Sequence, residues 1–157
     1  MHCNYNSNYK YNQNSEIMRE IRYRGIGIAE RKWVFGSLWF DTRDGVTLIW
    51  SEELKYWVRV DPATVGQYTG LKDEHGKEIY EGDVIRSPLS EDKTRPHRIF
   101  YHTGNAAFMG ALVDRKELCY LRLDQDWIYK FGKEVIGNIH DNPELIEKQT
   151  AERHKTN

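Results

Sequence analysis

Residues 66 to 85 read GQYTGLKDEHGKEIYEGDVI, and the turns in this stretch decide the fold class. Gly66, Gly70, Gly76 and Gly82 cut it into pieces too short for a stable helix. Asp73-Glu74-His75-Gly76 has Asp at the first and Gly at the fourth position of a tight turn, where each is favoured. Lys77 to Tyr80 is expected to pair back on the extended Gln67-Tyr68-Thr69. Glu81-Gly82-Asp83 makes a second turn, and Val84-Ile85-Arg86 leaves it as a strand.

The same reading extends in both directions. On the N-terminal side, Ile21 and Tyr23, and again Ile26 and Ile28, alternate with polar or small residues, the period of a half-buried strand. Trp33 to Phe40 and Val46 to Trp50 flank Asp41-Thr42-Arg43-Asp44-Gly45 and read as a β-hairpin. Tyr56, Val58 and Val60 form a further strand that stops at Pro62, within the turn Asp61-Pro62-Ala63-Thr64. On the C-terminal side, residues 87 to 96 are polar, contain Pro88 and Pro96, and read as an exposed loop. Strands are expected over Arg98–His102, Ala106–Leu112, Leu118–Leu123, Trp127–Phe131 and Glu134–Ile139, with a turn at Gly104-Asn105 and a charged loop at 113 to 117. Asn142-Pro143-Glu144 reads as the start of a short helix: Asn can cap, Pro suits the first position, and Glu suits the positive end of the dipole.

These elements predict a mainly β protein with a minor α part: small β-barrel-like modules and a short C-terminal helix. Residues 1 to 17 include five Asn and almost no aliphatic side chain before Ile17, so they cannot bury enough apolar surface to offset their ordering entropy. They are expected to be a disordered extension, with translation starting naturally at Met18. The domain is then 18 to 146, divided into an N-terminal β part (18–65) and a small β-barrel part (66–146). A flexible charged tail is expected over 147 to 157.

Composition narrows the function classes. A chain of 157 residues with 13% aromatics can bury a core without disulfide or metal. Its net charge of -1 lacks the basic excess of a protein that binds chiefly phosphates. Cys3 and Cys119 are the two cysteines, and Cys3 falls in the Asn-rich segment, so a reducing cytoplasm is expected. No apolar run approaches the roughly 20 residues that cross a bilayer, and no membrane partner is expected.

Residues 60 to 85 carry a resemblance. Val60-Asp61-Pro62, Thr64-Val65-Gly66-Gln67-Tyr68-Thr69-Gly70-Leu71-Lys72-Asp73, Gly76-Lys77-Glu78-Ile79-Tyr80 and Glu81-Gly82-Asp83-Val84-Ile85 resemble the signature of the YopX family of phages and prophages, mainly of Gram-positive bacteria. Met18 to Arg24 is similar to the family's opening. Val135-Ile136-Gly137-Asn138-Ile139 and Asn142-Pro143-Glu144-Leu145 are similar to its close. The resemblance implies a phage-related origin, the bacterial host cytoplasm and a mainly β architecture. It supplies no catalytic residues.

His97 and His102 are five apart and face opposite sides of one strand, and no Cys or His pair has the spacing of a zinc site. Asp124 and Asp126 would share a strand face, and Asp41 and Asp44 flank a turn; all four read as exposed turn residues rather than an acid–base pair. Cys119 lies between Leu118 and Tyr120 and reads as inert packing. Gly82-Asp83 is accounted for by turn geometry. No catalytic residue, metal ligand or cofactor site is expected, nor a small-molecule substrate.

Aromatic residues interleaved with basic ones are the remaining signal. Arg31-Lys32-Trp33 and Lys55-Tyr56-Trp57-Val58-Arg59, extended by Arg95 and Arg98, could form a stacking platform with phosphate contacts. The competing reading is core rings with solvated neighbours. The expectation is a non-enzymatic accessory protein whose partner is a protein, either a second copy or a host or phage protein. Nucleic-acid binding through Arg31, Lys32, Trp33, Lys55, Trp57, Arg59, Arg95 and Arg98 is the alternative.

Overall fold

Alternating side chains give each strand one face to bury, and the turns set which strands can meet. The computed structural model describes residues 20–87, 96–113 and 120–146. Its first sheet contains β1 (Tyr23–Ile26), β2 (Trp33–Phe40), β3 (Thr47–Ser51), β4 (Trp57–Arg59), β5 (Gly66–Lys72) and β6 (Glu78–Tyr80). Its second contains β7 (Asp83–Arg86), β8 (His97–His102), β9 (Ala107–Leu112), β10 (Tyr120–Arg122) and β11 (Glu134–Asn138), with helix α1 (Gln125–Lys130) before β11. The strand orders are β4-β3-β2-β1-β5-β6 and β10-β9-β8-β7-β11, and the pairings are antiparallel. The mainly β class and the Trp33–Trp50 hairpin stand.

The barrel-like closure does not. Both sheets are open. The end of β4 returns to β1 through the isolated bridge Gly27–Val60 and the hydrogen bond from Ile28 N–H to the Arg59 carbonyl at 3.0 Å. That edge of β1 is shared, however: β5 pairs with Tyr23 and Arg24, so β4 reaches only the end of it. The first sheet curls without closing.

Trp127–Phe131 is not a strand either. Asp124 is extended, and its Oδ1 accepts the Trp127 N–H at 2.7 Å, capping α1. Asp126 lies in the first turn and Lys130 in the last, the favourable ends of the dipole. Only Ile128 of the helix is fully buried, which gives no clear period for a sequence reading to find. The C-terminal helix begins at residue 144. There the Asn142 side chain does not cap it; Oδ1 accepts the N–H of Asn138 at 3.4 Å instead.

Two cores form. Val34, Ile49 and Val60, with Tyr23, Leu38, Val58 and Val65 against them, fill the curl of the first sheet. Ile79, Ile85, Ile99, Leu123 and Ile128 make the second core, with Leu71, Phe108, Trp127 and Val135 packed on it. Hydrogen bonding places β5 and β6 in the first sheet, yet Leu71 and Ile79 pack into the second core. The hairpin expected to begin the C-terminal part therefore belongs to both halves. The segments 1 to 17 and 147 to 157, the loop 88 to 95, Arg95 and Cys119 lie outside the described residues.

The chain passes between the sheets at Glu81-Gly82-Asp83, and Glu81 and Asp83 tie the second sheet to the first there. Glu81 accepts the Gln67 N–H through Oε2 at 3.0 Å and the Tyr101 N–H through Oε1 at 3.1 Å. Gly82, with φ of 82°, donates to the Ile99 carbonyl at 2.9 Å and accepts from Ile139 N–H at 2.9 Å. Asp83 accepts from Arg24 Nη2 at 2.6 Å and from the Tyr80 N–H at 2.8 Å. Gly66 allows this approach, since a Cβ there would lie 2.6 Å from the Glu81 carbonyl oxygen. Arg24 is 7% exposed and Asp83 1%. Burial pushes the Asp83 carboxyl up, against the charge of Arg24 and the hydrogen bonds from Tyr80 and Arg24.

Removing one partner of a buried ion pair strands the other charge. Asp83→Ala is expected to destabilise the fold by about 3–5 kcal/mol, measured by denaturant unfolding. A loss below about 1 kcal/mol would show that the pair does not join the sheets.

Candidate functional site

Strand register sorts the aromatic residues of the first sheet. Trp39 lies opposite Leu48, which lies opposite Arg59; Ser37 lies opposite Trp50, which lies opposite Trp57. Directly paired residues share a face. Trp39, Trp50, Trp57 and Arg59 therefore occupy the face away from the core residues Leu38, Ile49 and Val58. The rings meet there: Trp50 and Trp57 are 5.6 Å apart edge to face, and Trp39 and Trp57 are 6.4 Å apart.

At one end of this sheet, two connections stand beside each other. The β1–β2 turn is closed by Gly27 N–H to the Lys32 carbonyl at 2.8 Å and by Arg31 N–H to the Gly27 carbonyl at 3.0 Å. The β3–β4 loop is closed by Lys55 N–H to the Ser51 carbonyl at 2.8 Å, and Ser51 Oγ accepts the Leu54 N–H at 3.0 Å. Arg31 and Lys55 take left-handed backbone angles at these bends, with φ of 55° and 61°. Between the connections lies a cleft of about 600 Å³. Ile28, Phe35, Leu54, Tyr56 and Trp57 line it and are each 42–51% exposed. Its charged lining is balanced: Arg22, Lys32 and Arg59 against Glu30, Glu52 and Glu53.

Four of the eight residues proposed from sequence line this cleft: Lys32, Trp33, Trp57 and Arg59. Arg31 and Lys55 sit in its bordering connections, and Lys55 Nζ is 3.4 Å from Glu52. Arg98 is on β8 in the other sheet, near the Phe100 ring, so it does not extend the same surface. Arg95 lies outside the described residues.

Trp33 is fixed in place. Its Nε1–H donates to Asp141 Oδ2 at 2.7 Å, the Arg24 guanidinium lies 4.6 Å from its ring, and the His140 ring is 6.0 Å away. Burial raises the Asp141 carboxyl, but hydrogen bonds from Asn138 and Trp33 and the charges of Arg24 and His140 outweigh it and hold the carboxyl below its ordinary value. Burial and Arg24 push His140 down.

Sequence reasoning passed over Ile28, Phe35 and Leu54 as cleft residues. The signal was in Trp33–Phe40, WVFGSLWF, which is apolar on both faces of one strand. The other candidates are held in structural contacts. Asp124 caps α1. Asp41 accepts from the Arg43 side chain and backbone, which hold its carboxyl low. Asp44 accepts the Val46 N–H at 3.2 Å. His97 is buried beside Trp127, and His102 Nδ1 accepts the Asn105 N–H at 3.1 Å. A second cleft, of about 200 Å³ near Glu81, Arg98 and His140, is likewise not lined by Asp124 or Asp126.

Comparison with known proteins supplies the family. The model of the YopX protein family matches residues 4–147. The match begins inside the Asn-rich segment, ahead of the block at Met18. The crystal structure of protein EF1440 from Enterococcus faecalis is similar, with a TM-score of 0.54 and 25% identity. That similarity covers 82% of this chain and 99% of the other. No curated protein matches the sequence.

A carboxylate held below its ordinary value stabilises the fold above that value, and the stabilisation is lost as pH falls through the folded value. For Asp141 the loss lies below pH 3.8. The Trp33 indole N–H resonance is expected to shift in that acid range and to lose the transition in Asp141→Asn. An identical acid transition in both proteins would break the link between Trp33 and Asp141.

Proposed function

The chain belongs to the YopX protein family, and on that premise we propose that it is a non-enzymatic accessory protein that binds another protein through the apolar cleft of its first sheet. The observation that carries this reading is the gathering of Ile28, Phe35, Leu54, Tyr56 and Trp57, all substantially exposed, around one concavity. Large apolar groups grouped on a surface and rimmed by polar ones mark contact sites. Burying them against a partner would return the free energy that their exposure to water withholds.

Charge balance favours a protein over a nucleic acid. A phosphate backbone is bound by accumulated cations, whereas Glu30, Glu52 and Glu53 offset the three cations of this cleft. A rim of both signs suits a protein surface, where charges set register and orientation. The second reading, nucleic-acid binding, rests on the tier of Trp39, Trp50 and Trp57 beside Arg59, on which bases could stack. The non-enzymatic reading is supported by the structural engagement of Asp41 and Asp124. The resemblance to phage and prophage proteins supports action in the cytoplasm of a bacterial host. Among the described residues no helix is long and apolar enough to cross a membrane.

Leu54→Asp and Trp57→Ala separate the readings. Cross-linking in host lysate is expected to join the cleft loops of the wild type to one protein, a second copy included, and to fail in Leu54→Asp. Trp57→Ala is expected to weaken that complex by about 2 kcal/mol or more. Binding to DNA or RNA at low salt that disappears in Arg59→Ala, with no Leu54-dependent protein complex, would replace this reading with the second.

A further inference from the structure

The Asp73-Glu74-His75-Gly76 turn lies against β11, a contact its sequence does not foretell. Asp73 is buried and makes the attachment: Oδ1 accepts the N–H groups of His75 and Lys77 at 2.9 Å each, and Oδ2 accepts the Val135 N–H at 3.1 Å. Glu74 N–H also donates to the Lys133 carbonyl at 3.0 Å. These bonds hold the turn beside Glu134, almost sixty residues later in the chain.

Three metal-ligating side chains converge as a result. His75 Nε2 lies 3.5 Å from Glu74 Oε1 and 3.8 Å from Glu134 Oε2. One ligand atom from each of the three lies within 4.8 Å of the others. Tetrahedral ligands at about 2.1 Å from a zinc ion stand about 3.4 Å apart, so little movement separates this arrangement from a coordinated one. The side chains of Glu74 and Glu134 are each 26% exposed, and that of His75 is 68% exposed. Arg86 approaches only the other oxygen of Glu134, Oε1, at 3.4 Å.

We infer that Glu74, His75 and Glu134 form a binding site for a zinc-class divalent cation, which cross-links the 73–76 turn to β11. One imidazole with two carboxylates suits zinc and its transition-metal neighbours, with water completing the shell. Magnesium and calcium prefer oxygen-only shells and are poorly served by His75. The site is separate from the apolar cleft and independent of what that cleft binds.

The test uses the full chain, free of any affinity tag, titrated with zinc chloride by calorimetry and followed by thermal unfolding. His75→Ala and Glu134→Gln are compared with the wild type, and magnesium chloride is the control. His2, Cys3 and His154 can themselves take zinc, so the decisive quantity is the difference between wild type and variants. Zinc is expected to raise the wild-type melting temperature, and each variant to lose at least about tenfold in affinity while keeping the metal-free far-UV spectrum. The His75 imidazole resonances are expected to shift on zinc addition. Absence of zinc binding, equal zinc affinity in all three proteins, or an equal response to magnesium would overturn the site.

Discussion

The buried pair of Arg24 and Asp83 is the contact on which the arrangement of the two sheets depends. Arg24 comes from β1, in the first sheet, and Asp83 opens β7, in the second. Desolvating both charges is costly, and their mutual attraction offsets the cost only in good geometry with the remaining polar atoms engaged. The structure meets much of that condition. Asp83 uses its second oxygen on the Tyr80 N–H, while Arg24 also reaches the Glu81 carbonyl at 3.2 Å and lies beside the Trp33 and Tyr80 rings. A purely apolar contact would tolerate sliding between the sheets. A charged, directional one holds a single register.

That constraint reaches the cleft. Arg24 sits beside Trp33, one wall of the cleft, and Trp33 is tied through Asp141 to the segment that follows β11. Asn138, at the end of β11, donates to the same Asp141 oxygen at 2.7 Å. The cleft wall, the inter-sheet ion pair and the C-terminal segment thus form one connected set of polar contacts. The other side of the cleft, with Leu54, Tyr56 and Trp57, is fixed more locally by the turn bonds of Ser51. One wall is held by the whole fold and the other by the β3–β4 hairpin.

Much of this was legible in the chain. The hairpin Trp33–Trp50 and the turns around Gly76 and Gly82 follow from local residue chemistry, which acts over a few positions. The helix α1 was missed because Trp127, Ile128 and Phe131 suit a strand, while the cap that decides the matter is one Asp124 side chain bonding one N–H. Barrel closure was expected from short strands alone. It fails in 66–146 because β5 and β6 pair into the first sheet through β1, which leaves β10 and β11 as the edges of an open second sheet, and that choice of partner is not written in any one strand. Trp33 and Trp57 both line the cleft, but the bond from Trp33 to Asp141, over a hundred residues away, was beyond any local pattern.

The sequence by itself determined the β class, the turn positions and the resemblance to one family, because alternation, glycine placement and turn residues are properties of neighbouring positions. Only the tertiary structure decided which side chains share a site. It brought Ile28 and Leu54 to one cleft, balanced that cleft with three carboxylates, and set Glu134 beside His75. Those outcomes depend on strand order and on how the sheets are joined. That joining rests on long-range polar contacts and on the packing of Leu71 and Ile79 into the second core, and the partners lie too far apart in the chain for spacing to reveal them.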